Sequence, residues 1–104
     1  MRWRRARFAD VIERQLDIFE REHADLIDAC DAAEEAYVRA ERGEAEELYG
    51  DYLDLVETGT DALADLRDNS ASTLDEEPAA RYEAEFNRAV ARRLPRFALE
   101  IENS

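Results

Sequence analysis

Lysine is absent from this chain of 104 residues, and all 14 basic side chains are arginine. Cysteine occurs once, as Cys30, so no disulfide can close within the chain, which fits a reducing compartment. Three glycines and two prolines leave few positions at which a helix must stop. No apolar run approaches the ~20 residues that a membrane span needs. The start, Met1 to Arg7, is basic, but Asp10, Glu13, Arg14 and Asp17 interrupt the apolar residues after it. That argues against a signal peptide and makes the cytoplasm the expected location.

What is abundant is acid. Twenty-seven carboxylates give a net charge of −13 and a pI near 4.4. Such a surface repels nucleic acid and anionic lipid on average, and repels itself at low salt. An acidic, lysine-free composition resembles that of proteins from salt-adapted organisms, where salt screens charges to within about 3 Å at 1 M. A GC-rich genome also replaces lysine by arginine. Apolar residues make up 45% of the chain, enough for one modest core, so a single domain over 1–104 is expected.

Periodicity points to an all-α fold. Phe8, Ile12, Gln15, Phe19, Leu26, Cys30, Ala33 and Tyr37 fall on one helical stripe, widened by Val11, Leu16, Ile18 and Ile27. The spacing predicts one helix over about 5–42, roughly 57 Å long. Gly43 suits the left-handed residue that ends it. A second helix is predicted over about 45–67, with Leu48, Tyr52, Leu55, Gly59, Ala62, Leu63 and Leu66 on its stripe. Gly59 in mid-stripe is either a tolerated defect or a place of close approach by a neighbour. A polar linker comes next over 68–75, where Thr73 with Glu76 fits a capping box and Asp75 is another candidate N-cap. The third helix, 76–94, carries Tyr82, Phe86, Val90 and Leu94, and the pattern runs on through Phe97 and Ile101, with a kink or break expected at Pro95 inside it. Short connections then give a long antiparallel helical hairpin plus a third helix: a three-helix bundle, or half of a dimeric one. The first helix exceeds the second by about 15 residues on this reading. Its surplus, with Trp3, Phe8, Val11 and Ile12, has no partner inside the hairpin: either the third helix covers it or, the favoured expectation, another chain does, most simply a symmetric copy in an antiparallel dimer.

Few residues suggest chemistry. Glu20 and His23 stand one turn apart, the spacing that ferritin-like half-bundles use for metal between chains. A full site needs two such motifs, and this chain has a single histidine. Cys30 sits in the apolar stripe about 10 Å from His23 by helical rise, beyond direct activation. Asp51, Asp54, Asp61, Asp65 and Asp68 read as a solvated acidic face. No nucleophile-base pair, phosphate loop or paired cysteine motif occurs, so the chain is not expected to be an enzyme, and no cofactor is implied.

The arginines cluster at the two ends. Arg2, Arg4, Arg5 and Arg7 accompany Trp3 and Phe8, while Arg88, Arg92, Arg93 and Arg96 accompany Phe97. Arginine beside aromatic residues is typical of interface anchors. The candidate partner-binding set is therefore Arg2, Trp3, Arg4, Arg5, Phe8, Arg92, Arg93, Arg96 and Phe97. The same residues suit phosphates and bases, or simply balance the chain's own acid. The expected function is a non-catalytic helical interaction module, a homodimeric adaptor or small subunit of a larger complex. The alternatives are a metal-binding half-bundle using Glu20 and His23, and an arginine-mediated nucleic-acid contact.

Overall fold

The computed structural model describes residues 8–98 and Ile101, and they form an all-helical fold with no strand among them. Four helices succeed one another: α1 (Ala9–Glu22), α2 (Ala24–Val38), α3 (Ala45–Ala71) and α4 (Glu76–Arg93). A 3₁₀ turn, Pro95–Phe97, closes the series. No helix among the described residues is long and apolar enough to cross a membrane.

The helix predicted over 5–42 is divided at His23, whose backbone sits at φ −115°, ψ 27°. The His23 ring folds back on the preceding turn, stacking on Phe19 with centroids 4.5 Å apart. Its Nδ1 lies 3.3 Å from the Phe19 carbonyl oxygen, which also accepts the His23 backbone N–H. A side chain that competes for the i−4 carbonyl loosens a helix at that point. The ladder resumes beyond it, where Ile27 N–H donates to the His23 carbonyl.

Four further expectations change. Helix α3 absorbs residues 68–71 of the predicted linker, because Arg67 and Ala71 are both buried and packing outweighs the weak helix preference of Asp, Asn and Ser. The Thr73 hydroxyl donates to the Ser70 carbonyl at 2.8 Å, closing the end of α3, so the Thr73–Glu76 capping box does not form. Asp75 does hold the N-cap position of α4, with an extended backbone but no capping side-chain hydrogen bond. No described glycine has positive φ, so Gly43 is not the left-handed terminator, and α2 stops at Val38. The break before Pro95 falls where expected: Leu94 leaves the helical region at φ −134°, ψ 60°, as a residue preceding proline does.

Helix α2 packs along α3, while α4 packs against both α1 and α3. Tyr37 meets Tyr49, with ring centroids 4.8 Å apart, and Gln15 Nε2 donates to Ser70 Oγ at 3.0 Å. The α1–α2 rod therefore descends as α3 ascends. The deep core lies where α1, α3 and α4 meet, around Ile12, Leu16, Leu63, Tyr82, Phe86 and Val90. Helix α2 contributes a single fully buried side chain, Cys30. Beyond the reach of α4, α2 and the first half of α3 pack on each other with Arg96 of the final turn between them, and the molecule is elongated at 53 × 23 × 22 Å.

The expected surplus of the first helix is absent from the described residues. The 14 residues of α1, His23 and the 15 of α2 run beside the 27 of α3. Ile12 is buried, and Phe8 sets its ring edge-on to Tyr82 at 5.5 Å. Both are covered by α4 within the same chain, so neither calls for a second one. Trp3 lies outside the described residues.

Gly59 is a place of close approach. A Cβ there would stand 2.5 Å from Cε1 of Phe97, whose ring the 3₁₀ turn presses onto α3. Gly50 has nothing within 4 Å of such a Cβ.

Candidate interaction surfaces

Arginines from the end of the chain are turned inward along it. Arg93 donates to Glu13 Oε1 and Asp17 Oδ1, each at 2.8 Å, and lies 3.2 Å from Glu20 Oε1. Arg92 reaches Glu13 Oε2 at 2.8 Å. These contacts tie α4 to α1. Arg96 bridges α2 and α3: its guanidinium meets Asp31 at 2.9 Å and Glu34 at 2.8 Å, donates to the Tyr52 hydroxyl at 3.1 Å, and lies over the Tyr52 ring. Burial works against the charge on Arg96 and Arg93, and the hydrogen bonds they donate to their carboxylate and phenol partners overcome it. Both guanidinium pKa values are lifted above the ordinary one. The acidic partners remain largely solvated, so each pair adds at most ~1 kcal/mol, and the network fixes geometry more than it adds stability.

Phe97 is buried between Gly59 and Phe19, with its ring centroid 6.3 Å from that of Phe19. It offers no anchor to a partner. Phe8 is half-buried on Tyr82. Arg2, Trp3, Arg4 and Arg5 lie outside the described residues. Of the proposed partner-binding set, the structure gathers Arg92, Arg93 and Arg96 into internal ion pairs.

Glu20 and His23 do not converge. Glu20 faces Arg93, while His23 stacks on Phe19, and no group of three or more metal-ligating side chains occurs among the described residues. Cys30 is fully buried, and burial raises its thiol above the usual value, with Arg96 opposing. A protonated, enclosed thiol is a small apolar filler.

Sequence reasoning missed one buried charge. Arg67 Nη1 donates to the Ile101 carbonyl at 2.8 Å and to Asn87 Oδ1 at 3.1 Å, and its Nε donates to Asp68. It thereby pins the end of the chain to α3 and α4. Its position four residues after Leu63, on the apolar side of α3, was the available signal.

Two surfaces are left open. Between α1 and α3, on the side away from α4, a cavity of about 260 Å³ is floored by Phe19, Ala62 and Leu66 and flanked by Ile18 and His23. It meets a second hollow, of about 450 Å³, at Gln15, and that one extends past Val11 to Leu74. Val11 and Ile18 are 47% and 38% exposed along this seam. The other surface lies on the arm formed by α2 and the first half of α3, where Tyr49, Tyr52, Leu53 and Val56 line a hollow of about 360 Å³ that ends at Arg96.

No protein-family model matches the chain, and neither does any curated protein or solved structure. The functional reading therefore rests on these surfaces.

Proposed function

We propose that this chain is a non-catalytic helical interaction module that works as a homodimer, joined along the open seam between α1 and α3. The observation that carries the reading is the Val11–Ile18 stripe, two exposed aliphatic side chains seven residues apart beside an apolar cavity. Contiguous apolar surface of this kind marks association sites.

Charge supports a second copy as the occupant. Arg14 and Arg21 flank Ile18 on α1, exposed and without an ion pair among the described residues. Asp61 and Asp65 are exposed on α3, each one position before the Ala62 and Leu66 that line the cavity, and Glu22 lines it on the α1 side. A two-fold axis parallel to the helices sets α1 of each copy against α3 of the other. Each arginine rim then meets an aspartate rim, as an isologous interface requires. The chain's charge of −13 opposes this at low salt, and salt removes that long-range repulsion while leaving the apolar seam intact.

The test is molar mass by light scattering in about 2 M KCl, for the wild type and for Ile18→Glu. Two chains per particle are expected for the wild type. The variant, which sets an unpaired carboxylate into both halves of the interface, is expected to associate roughly 100-fold more weakly. A wild type that stays at one chain throughout overturns the reading.

Among the described residues, which exclude Arg2, Arg4, Arg5 and Arg7, the geometry lends the metal and nucleic-acid alternatives no support. Glu20 is engaged by Arg93, and Arg92, Arg93 and Arg96 are engaged by the chain's own carboxylates.

A further inference from the structure

The arm concentrates the acid. Residues 24–57 hold twelve carboxylates and two arginines, a balance of −10 out of the whole chain's −13. This is also the part of the molecule against which α4 does not pack. Along the face in line with α4, Tyr49 and Leu53 are 42% and 44% exposed, beside Tyr52 and the buried Val56. Tyr37 stacks into the same cluster, 6.4 Å from Tyr52. Asp54 and Glu57 of α3 line the hollow, and Asp31 and Glu34 of α2 hold Arg96 at its head.

The chain itself shows what this surface binds. Where α4 ends, Arg96 enters the head of the groove, lays its guanidinium 5.7 Å from the centre of the Tyr52 ring, and is held by Asp31 and Glu34. Past Arg96 the hollow continues over Tyr49 and Leu53 beside Asp54, and no second described cation lines it. Its lining on α3, from Glu57 back to Tyr49, spans about two turns of helix.

The geometry points to this groove as the docking site for a basic amphipathic helix of a partner protein, seated end-on to α4, with its apolar side on Tyr49 and Leu53 and its arginines on the acidic rims. Helix-in-groove recognition uses that division of labour: apolar anchors hold, and charges steer and orient. The inference rests on the reading of the chain as an interaction module but uses a surface separate from the dimer seam. A single-chain particle that still binds such a helix would remove the dimer and leave the groove.

The probe is a fluorescein-labelled peptide of about 16 residues built from Leu, Ala and Arg, with leucines at three- and four-residue spacing and arginines flanking them. One control scrambles the same residues to abolish the apolar side, and another replaces each Arg by Glu. Fluorescence anisotropy with the full-length chain should give saturable one-to-one binding of the first peptide only. Tyr49→Ala and Leu53→Ser should each weaken it roughly tenfold or more, and Ile18→Glu should leave it unchanged. Tyr49 also packs on Tyr37. The more exposed Leu53 keeps the test valid if Tyr49→Ala disturbs the arm, with circular dichroism as the check. Equal binding of the scrambled peptide reduces the effect to unspecific ion pairing and overturns the proposal. So does indifference to Leu53→Ser. A change in molar mass with Leu53→Ser also overturns it, because the groove would then belong to a second copy.

Discussion

Phe97→Ala is expected to destabilise the protein by about 3–5 kcal/mol, the range for emptying a buried aromatic site. The ring is buried, contacts Phe19, and fills the notch that Gly59 leaves in α3. The pair makes a sharper expectation possible. Gly59→Ala gains helix preference, up to ~1 kcal/mol. It also drives a Cβ to 2.5 Å from a ring that is packed in the core and cannot swing aside. Overpacking of that kind costs about 1–3 kcal/mol, so the clash wins and the variant is less stable. In the Phe97→Ala background the clash is gone, and the same substitution should become neutral or stabilising. Gly50→Ala, with open space around it, should stabilise by up to ~1 kcal/mol in either background. Urea unfolding of the four-member cycle reads this coupling directly. A Gly59→Ala effect of the same sign and size with and without the ring would refute the packing account.

Arg67→Met should cost about 3–5 kcal/mol. Removing one member of a buried polar network leaves the others desolvated and unpaired. Here the Ile101 carbonyl and Asn87 Oδ1 lose their shared donor, while methionine keeps most of the apolar stem. Arg67→Lys should not restore stability, because a single ammonium cannot present the fork that reaches Asp68, Asn87 and Ile101 together. Denaturant midpoints of the two variants against wild type check both statements. Near-wild-type stability of Arg67→Met would mean that the end of the chain is not held through this side chain.

Much of the helical layout is legible in the sequence, and the departures share a cause. The start of α4 at Glu76 and the break at Pro95 are written in local chemistry, an N-cap candidate and a ring without an N–H. Gly59 is legible as an alternative, since a glycine at the heart of an apolar stripe is costly without a neighbour to admit. The end of α3 is not, because Asp68, Asn69 and Ser70 read as linker until the burial of Arg67 and Ala71 is known. The division at His23 depends on a ring stacking back on Phe19, a choice that periodicity does not register. The candidate site fared differently. Arginine beside aromatic residues looks alike whether it faces a partner or the chain's own acid. Arg93 and Arg96 found Glu13, Asp17, Asp31 and Glu34, residues 60 to 80 positions away, and only the packed chain reveals such pairings. The exposed stripe of Val11 and Ile18 was folded into the same wide seam as buried Ile12 and Leu16. A wheel gives their angles but not where α4 sits.

The claim on which the functional account turns is that two copies meet along α1 and α3. Melting temperature measured over a hundredfold range of protein concentration, at about 2 M KCl, tests it most directly, since association that favours the folded state makes the midpoint depend on concentration. The account expects the wild-type midpoint to rise steadily with concentration and that of Ile18→Glu to stay level. A wild-type midpoint that does not move across the range would contradict it.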